Sequence, residues 1–378
     1  MVVSVLHRHR AQRAKKAFTT RRVPTPDMRT LLSGDIRPVP GDVVLATVQE
    51  IGKQKRLELR SGRRAHLIAG DEIVVAYGNR YATDQFEALI GDDLGPCDLV
   101  AAGGLASREI CRHERMPAPT WIAPVGLVGD ADGRRINLAD YAVRAPSGAA
   151  SAARPITAIL VVGSGMNAGK TFAAASTIRG FRTNDIRVAG VKITGTGAGG
   201  DLWQYRDMGA DVVYDFTDAG YASTYKTPIE DLEDVADLLV GQAARAGCDY
   251  AVVEVADGLE QEETEALLRS PRIRRLTSGV LFSAYDAMGA QLGVERLRAY
   301  GHNVLAVSGQ ICRSPLAMRE AAQRLDVPVR HPEELRRGAL IDAFAPREEV
   351  VRLDRERAAY ERAGDAAFLE QGRDAVGA

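Results

Sequence analysis

The chain has 378 residues, of which 46% are hydrophobic, and its formal net charge is −1 at pH 7. This length suffices for two or three domains with sizeable cores, and the mixed, nearly neutral charge argues against a nucleic-acid binder. No apolar run approaches the roughly 18 residues that would span a bilayer, so we expect no membrane partner. The 4 cysteines form no C-x-x-C pair, which argues against a zinc site or disulfide framework and indicates a reduced, cytoplasmic setting.

Residues 1–30 begin the chain as a basic extension. The first 22 residues carry seven lysine and arginine side chains and no acidic side chain. Such a composition is typical of a solvated or partly ordered extension, with a nucleic-acid or membrane arm as the alternative. The segment lacks the apolar centre of a secretory signal.

Residues 31–145 are predicted to form a smaller, β-rich N-terminal domain. Short strands are expected over 43–48, 57–59 and 72–77, separated by turns that contain glycine. This spacing favours a small β-barrel or a curled sheet. The prolines that follow predict irregular chain, and they are Pro117, Pro119 and Pro124.

A small, Pro/Ala/Ser-rich stretch predicts a linker at 146–156, after which strands and helices alternate over 157–346. The expected strands cover 157–162, 186–193, 249–255, 279–283 and 303–307. The expected helices cover 171–182, 228–246, 260–270, 289–300 and 315–325. This alternation predicts an α/β domain whose mainly parallel sheet is covered by helices on both faces. A helical tail is expected over 347–378.

The junction of the first of these strands with its helix has the pattern of a phosphate-binding loop. Backbone N–H groups of such a loop, with the helix N-terminus, cradle phosphate oxygens. Lys170 would reach the β- and γ-phosphates, and the Thr171 hydroxyl would bind Mg²⁺. The alternative is an ordinary tight turn with an exposed Lys170. The candidate nucleotide-binding residues are Gly163, Ser164, Gly165, Met166, Asn167, Ala168, Gly169, Lys170 and Thr171.

Charged residues follow the next strands at the same carboxyl edge, where ligands of such sheets bind. Lys192 could pair with a substrate carboxylate or phosphate, or be an exposed lysine at a strand end. Asp201 could be a Mg²⁺ ligand or a turn residue. Glu254 lies in an apolar run, where a carboxylate without a cation would be costly, and it is the best candidate metal ligand. Its alternative role, capping the next helix, fits Asp257 better.

Two further segments carry weaker signals. Residues 209–225 are polar and aromatic, which predicts either one wall of a substrate pocket or a surface connection. Ser308, Gln310 and Arg313 follow the last expected strand and could contact a base or substrate.

Residues 156–340 resemble the dethiobiotin synthetase-like branch of P-loop proteins. The loop from Gly163 to Thr171, the strand end at Lys192 and the segment around Glu254 carry this resemblance, although Ile193 replaces a proline and the last segment lacks glycines. The resemblance implies that the loop binds ATP, that Lys192 holds the substrate and that Glu254 assists Mg²⁺. It also implies a homodimer or a higher homo-oligomer.

A second, looser resemblance joins the same loop to residues 326–338. It is to a two-domain family that includes D-glutamate N-acetyltransferases, in which an acyl donor can replace the nucleotide. The N-terminal half does not match that family.

We therefore expect Mg·ATP-dependent phosphorylation or activation of a small carboxylate-bearing substrate, as a kinase or ligase step. Lys170, Lys192 and Glu254 would be the catalytic residues, and Thr171, Glu254 and Asp201 the metal ligands. The alternatives are an acyltransferase that uses acetyl-coenzyme A, a regulatory NTPase and a scaffold with a vestigial loop. No guanine-reading Asn-Lys-x-Asp string is present, which favours ATP.

Overall fold

The computed structural model describes residues 1–144 and 155–344. The predicted linker is described only at residues 155 and 156, and the predicted tail at 347–378 lies outside the described residues. Within them, no helix is long and apolar enough to cross a membrane.

The N-terminal part is a β-structure in which paired strands close on themselves. β11 pairs with β4, β4 with β7, β7 with β10, β10 with β9, and β9 again with β11, so these strands form the small barrel that the sequence predicts. The strands of the N-terminal part are β1 (Val2–Val5), β2 (Lys15–Lys16), β3 (Thr30–Ser33), β4 (Val43–Glu50), β5 (Arg56–Glu58), β6 (Arg64–His66), β7 (Glu72–Tyr77), β8 (Phe86–Leu89), β9 (Cys97–Ala101), β10 (Leu105–Arg112) and β11 (Thr120–Gly129). Of these, β5 and β6 pair with each other in a separate two-stranded sheet.

One barrel strand, β11, contradicts the expectation of irregular chain around the prolines. Pro124 lies inside this strand, opposite Ala46 of β4, and the register shifts between Pro124 and Gly126. A proline cannot donate to the ladder, and a strand tolerates it where the pairing is locally interrupted. Pro124 therefore marks an irregularity of β11 and not the end of the sheet.

The basic segment at the start of the chain packs against the barrel. β1 pairs with β3, β2 pairs with β7, and the short helix α1 (Arg8–Arg13) lies between them. Phe18 is fully buried. The segment is therefore not a separate solvated extension, because its sparse apolar residues are enough to pack it against the sheet.

The C-terminal part is an α/β domain built on a sheet of six parallel strands, in the order β14-β13-β15-β12-β16-β17. Its strands are β12 (Thr157–Gly163), β13 (Val188–Lys192), β14 (Val212–Asp215), β15 (Tyr250–Glu254), β16 (Thr277–Ser283) and β17 (Val304–Ser308). Its helices are α2 (Lys170–Thr183), α3 (Gly200–Asp207), α4 (Ile229–Arg245), α5 (Glu262–Arg269), α6 (Pro271–Leu276), α7 (Ala287–Ala299), α8 (Pro315–Ala322) and α9 (Pro332–Arg336).

Helices cover both faces of this sheet, as the alternation predicts. Leu160 and Val162 of β12 belong to one core, which they share with α4 and α7. Ile159 and Val161 point the other way, into a second core that α2 helps to form. Because successive strand residues point to opposite faces, β12 is buried on both sides and reads as a continuous apolar run.

The barrel and the α/β domain are in direct contact. Glu58 of the barrel accepts hydrogen bonds from Trp203 Nε1 (2.8 Å) and from the backbone N–H of Gly199 (3.1 Å). Arg21 forms ion pairs with Asp215 and Asp218 at the end of β14, at 2.9 and 2.7 Å. Both contacts lie near the carboxyl edge of the sheet, so the barrel faces the edge where the candidate site residues end.

Candidate nucleotide site

The loop at residues 164–169 joins β12 directly to α2 and packs against the loop that follows β17. Gly169 has a φ of 99°, and a Cβ atom there would meet the Cα of Gly309 at 3.0 Å. Glycine is therefore required at position 169 both by its backbone conformation and by the close approach of another chain segment. The N-terminus of α2, which spans 14 residues, points into this loop, as anion binding at a helix N-terminus requires.

Lys170 is buried, with 6% of its surface exposed, so it is not the exposed lysine of an ordinary turn. Its ammonium donates to the backbone oxygen of Gly165 at 2.9 Å and to that of Asp257. Burial lowers the pKa of Lys170, although the nearby carboxylates of Glu254 and Asp257 oppose this shift. The amine thus bridges the phosphate loop and the segment after β15.

The other predicted site residues converge beside the loop, at the ends of β13 and β15. Lys192 Nζ lies 3.1 Å from Glu254 Oε1 and also pairs with Asp201. The Thr171 hydroxyl donates to the same Glu254 oxygen at 3.3 Å. The Tyr205 hydroxyl donates to the other oxygen, Glu254 Oε2.

Charge compensation within this cluster is nearly complete. Burial alone would lower the pKa of Lys192, but the carboxylates of Asp201 and Glu254 raise it above the ordinary lysine value. Burial opposes ionisation of Asp201, yet the Lys192 charge and hydrogen bonds from Lys192 and Thr171 lower the pKa of Asp201. Burial beside Glu254 raises the pKa of the Tyr205 hydroxyl, which therefore remains a donor. Lys192 thus favours the ionised form of Asp201.

The oxygen atoms in this cluster fit a Mg²⁺ ion that is shared with a nucleotide. Thr171 supplies a hydroxyl, and Glu254, which is only 1% exposed, supplies a carboxylate that already requires a cation. Mg²⁺ is usually bound through one or two carboxylates together with substrate phosphates and water. Across residues 1–144 and 155–344, no group of three or more His, Cys, Asp or Glu side chains forms an all-protein metal site.

A cavity of about 270 Å³ lies on the other side of the loop. Phe172 and Gln310 line it, with Arg313, His331 and Glu333. Of the residues predicted after the last strand, Gln310 and Arg313 therefore reach this cavity, whereas Ser308 is fully buried. The cavity has an aromatic side chain and polar side chains next to Gly169, which suits a heterocyclic base.

The barrel contributes to the opposite wall of the site, which the sequence did not predict. Asp84 accepts a hydrogen bond from the Asn167 side chain of the phosphate loop. Tyr81 lines a narrow cleft together with Thr194, Tyr225 and Asp257, so part of the segment 209–225 does form a pocket wall. No local motif marks the barrel residues, because their role depends on contacts between distant parts of the chain.

Comparisons with family profiles and with curated proteins give no match. Among solved structures, the signal recognition particle receptor FtsY from Elizabethkingia anophelis is 17% identical, with a TM-score of 0.34 over 47% of this chain and 58% of its own. The kinase domain of the Escherichia coli tyrosine kinase ETK is 18% identical, with a TM-score of 0.32 over 40% and 66%. The 54 kDa signal recognition particle protein from Aeropyrum pernix K1, in complex with GDP, is 13% identical, with a TM-score of 0.33 over 56% and 52%.

These similarities are too low to carry an argument about activity, and this chain spans 58% of the length of the FtsY structure. The fold is evident from the chain itself. A buried parallel strand, β12, enters a glycine-rich loop, and α2 begins at Lys170 with Thr171 in its first turn. Residues 157–344 therefore form an α/β domain with the strand, loop and helix arrangement of a P-loop fold.

Proposed function

We propose that this protein is a Mg²⁺·nucleotide-dependent P-loop enzyme that phosphorylates or activates a small carboxylate-bearing substrate, with ATP as the phosphoryl donor. The observation that carries the proposal is the convergence of Thr171, Lys192, Asp201 and Glu254 beside the loop that holds Lys170. Phosphoryl transfer depends mainly on positioning and on stabilising negative charge, and this cluster supplies both positive charge and metal ligands.

Each residue has a distinct role in this proposal. The loop amides and Lys170 bind the phosphates and neutralise the charge that develops during transfer. When bound, Mg²⁺ is held by Thr171 and Glu254, with Asp201 assisting, and draws negative charge from the phosphate oxygens. Lys192 then exchanges its carboxylate partners for the carboxylate of the substrate. A free carboxylate attacks directly, so the acceptor gives up no proton.

The cavity beside Gly169 would hold the base. Its volume, about 270 Å³, and its lining by Phe172 and Gln310 suit a purine. We propose adenine because no Asn-Lys-x-Asp string is present, and a comparison of ATP with GTP tests this choice.

Isothermal titration of the chain with Mg·ATP, Mg·GTP and acetyl-coenzyme A tests the proposal. We expect Mg·ATP to bind and the Lys170→Ala variant to lose this binding, since the variant lacks the phosphate-binding ammonium. Exchange of the exposed Lys53 for alanine is the matched control and should leave binding unchanged. Equal binding of Mg·ATP by Lys170→Ala would overturn the proposal. Binding of acetyl-coenzyme A alone would replace it with an acyltransferase.

The proposal also includes a homodimer or a higher homo-oligomer, which rests on the family resemblance. Light scattering coupled to size-exclusion chromatography measures the mass in solution directly. A mass equal to that of one chain, 40.7 kDa, at the concentration of the activity assay would remove this part of the proposal.

A further inference from the structure

Helix α3 supplies two of the contacts that hold the candidate metal ligands. Its residue Asp201 pairs with Lys192, and the hydroxyl of Tyr205 donates a hydrogen bond to Glu254 Oε2. Tyr205 is fully buried, and Gly190 of β13 leaves room for it, because a Cβ atom there would meet the Tyr205 side chain at 2.8 Å. The helix has 8 residues, or about two turns, so its placement decides where both contacts lie.

The beginning of α3 is held by Glu58, the last residue of β5. Glu58 Oε2 accepts a hydrogen bond from the backbone N–H of Gly199 at 3.1 Å, and Glu58 Oε1 accepts one from Trp203 Nε1 at 2.8 Å. Gly199 directly precedes the helix and has no side chain that could cap it. The Glu58 carboxylate therefore does what a capping side chain does elsewhere, although it lies 141 residues away along the chain.

Close packing surrounds the Glu58 carboxylate. A Cβ atom at Gly199 would meet Glu58 Oε1 and Trp203 Nε1, each at 2.5 Å. The Trp203 ring also packs edge-on against Phe18, with 6.0 Å between the ring centroids. Only 2% of Glu58 is exposed, so its charge depends on these two hydrogen bonds and on the positive end of the α3 dipole. A displaced α3 would leave a buried carboxylate without donors, which ties the helix to Glu58.

We propose that Glu58 is a positioning residue of the candidate metal site. By fixing the start of α3, it sets the position of Asp201, two residues after Gly199, and of Tyr205, one turn further on. In the proposed function Asp201 assists Mg²⁺, and Tyr205 orients the carboxylate of Glu254. Glu58 acts only through the helix, because its own oxygens are directed to Gly199 and to the indole. This inference rests on the proposed function.

Removing the Glu58 charge should reduce the contribution of the metal more than the contribution of the phosphate loop. In the proposed function the loop amides and Lys170 bind the phosphates, whereas α3 acts on the metal ligands. Residues that orient metal ligands from behind typically contribute about 10- to 100-fold to metal affinity. The effect of Glu58 should therefore appear when Mg²⁺ is present and be small when it is chelated.

The test is calorimetric titration of the full chain with ATP, once with saturating Mg²⁺ and once in EDTA. The measured quantity is the metal ratio, defined as the ATP affinity with Mg²⁺ divided by that in EDTA. Glu58→Gln keeps the shape of the side chain, but its amide nitrogen cannot accept a hydrogen bond. We expect this variant to lower the metal ratio about tenfold and to change the affinity in EDTA by less than about threefold.

A double-mutant cycle shows whether Glu58 acts through α3. Asp201→Asn removes the carboxylate that assists the metal, so it should lower the metal ratio by itself. If Glu58 acts by placing Asp201, Glu58→Gln should cause a much smaller loss in the Asp201→Asn background than in the wild type. A purely structural role would give equal losses in the two backgrounds, and that result would overturn the inference.

Trp203→Phe serves if Glu58→Gln does not fold. It keeps an aromatic ring beside Phe18 but removes the Nε1 donor, and it should lower the metal ratio in part. The matched control is Glu87→Gln, since Glu87 of β8 accepts a hydrogen bond from the Tyr225 hydroxyl at 2.9 Å and thus joins the same two parts of the chain without touching α3. This control should leave the metal ratio unchanged.

Three results would overturn the role of Glu58 alone. One is an unchanged metal ratio in Glu58→Gln, or in Trp203→Phe where that variant is used. The second is an equal loss of ATP affinity with Mg²⁺ and in EDTA. The third is a loss of the same size in Glu87→Gln. A wild-type chain that binds no ATP, or binds it equally with and without Mg²⁺, would overturn the proposed function as well.

Discussion

Lys192 Nζ lies 3.1 Å from Oε1 of Glu254, so adjacent strands of the sheet end in an ion pair. Glu254 and Lys192 are register partners in β15 and β13. A carboxylate with 1% exposure needs a cation, and in this structure Lys192 supplies it. The same carboxylate is the strongest candidate for a metal ligand. We therefore expect Mg²⁺ to replace the Lys192 ammonium as the cationic partner of Glu254.

Removing the Lys192 charge is expected to destabilise the fold. Lys192→Met leaves Glu254 and Asp201 uncompensated, and breaking a buried pair on one side costs about 3 to 5 kcal/mol. Urea unfolding measures this loss as a lower free energy of unfolding. The double variant Lys192→Met/Glu254→Gln should recover a large part of it, because the buried charge is then gone too. If the double variant were no more stable than Lys192→Met, Glu254 would not be the charge that Lys192 compensates.

Neutralising Glu254 should weaken binding of the nucleotide only when Mg²⁺ is present. Glu254→Gln keeps the shape of the side chain but removes a metal ligand, and we expect a loss of at least about tenfold, or 1.4 kcal/mol, for Mg·ATP. Titration in EDTA should show equal affinity for metal-free ATP. The exposed Glu295, exchanged for glutamine, is the control. Unchanged Mg·ATP affinity in Glu254→Gln would rule out the metal role.

A methyl group added at Gly258, which follows β15, should displace the phosphate loop that packs against it. A Cβ atom at this position would meet the Cα of Gly165 at 2.6 Å and the carbonyl oxygen of Ser164 at 3.0 Å. Gly258→Ala must therefore displace the loop, and nucleotide affinity should fall about tenfold or more. Gly200→Ala is the control, since a Cβ atom there meets nothing within 4 Å. Calorimetry on both variants decides whether the packing of these loops maintains the site.

Stability should depend on pH through His302. Burial, aided by Arg274, lowers the pKa of His302 below its usual 6.5, while its Nε2 lies 2.8 Å from the backbone oxygen of Leu268. In the window below pH 6.5 the unfolded chain binds a proton that the folded chain refuses, so the free energy of unfolding falls as pH drops. Above pH 6.5 this contribution is complete.

Urea unfolding between about pH 5 and pH 7.5 measures this dependence. The neutral variant His302→Gln cannot titrate, so its stability should vary less over the same range than that of the wild type. Identical pH dependence in the two proteins would show that other groups cause it.

The sequence was sufficient for the parts of the molecule that depend on local order. The apolar run of β12 and the loop up to Thr171 are contiguous, so their pattern predicted both the strand and the helix start. β14 was missed because Val212–Asp215 is short and lies at the sheet edge, among polar and aromatic residues. β11 was not predicted because a proline usually interrupts a strand. The register shift next to Pro124, which lets the strand continue, cannot be inferred from the sequence.

The sequence predicted which residues form the site better than it predicted the contacts between them. Lys192, Asp201 and Glu254 were expected at one edge because parallel strands end together. Their pairing with one another was not expected, since Lys192 was assigned to the substrate. The approach of Asp84 to Asn167, 83 residues apart, depends on how barrel and sheet are placed, and no local pattern contains that information.

The ion pairs of Arg21 join parts of the chain that are synthesised at different times. Arg21 is made early, but Asp215 lies 194 residues further on. The barrel can form as soon as β11 has left the ribosome, because N-terminal segments tend to fold first. Arg21 would then lack its partner Asp215 until β14 has been translated. If the barrel folds first, the sheet would dock onto a surface that already carries Arg21.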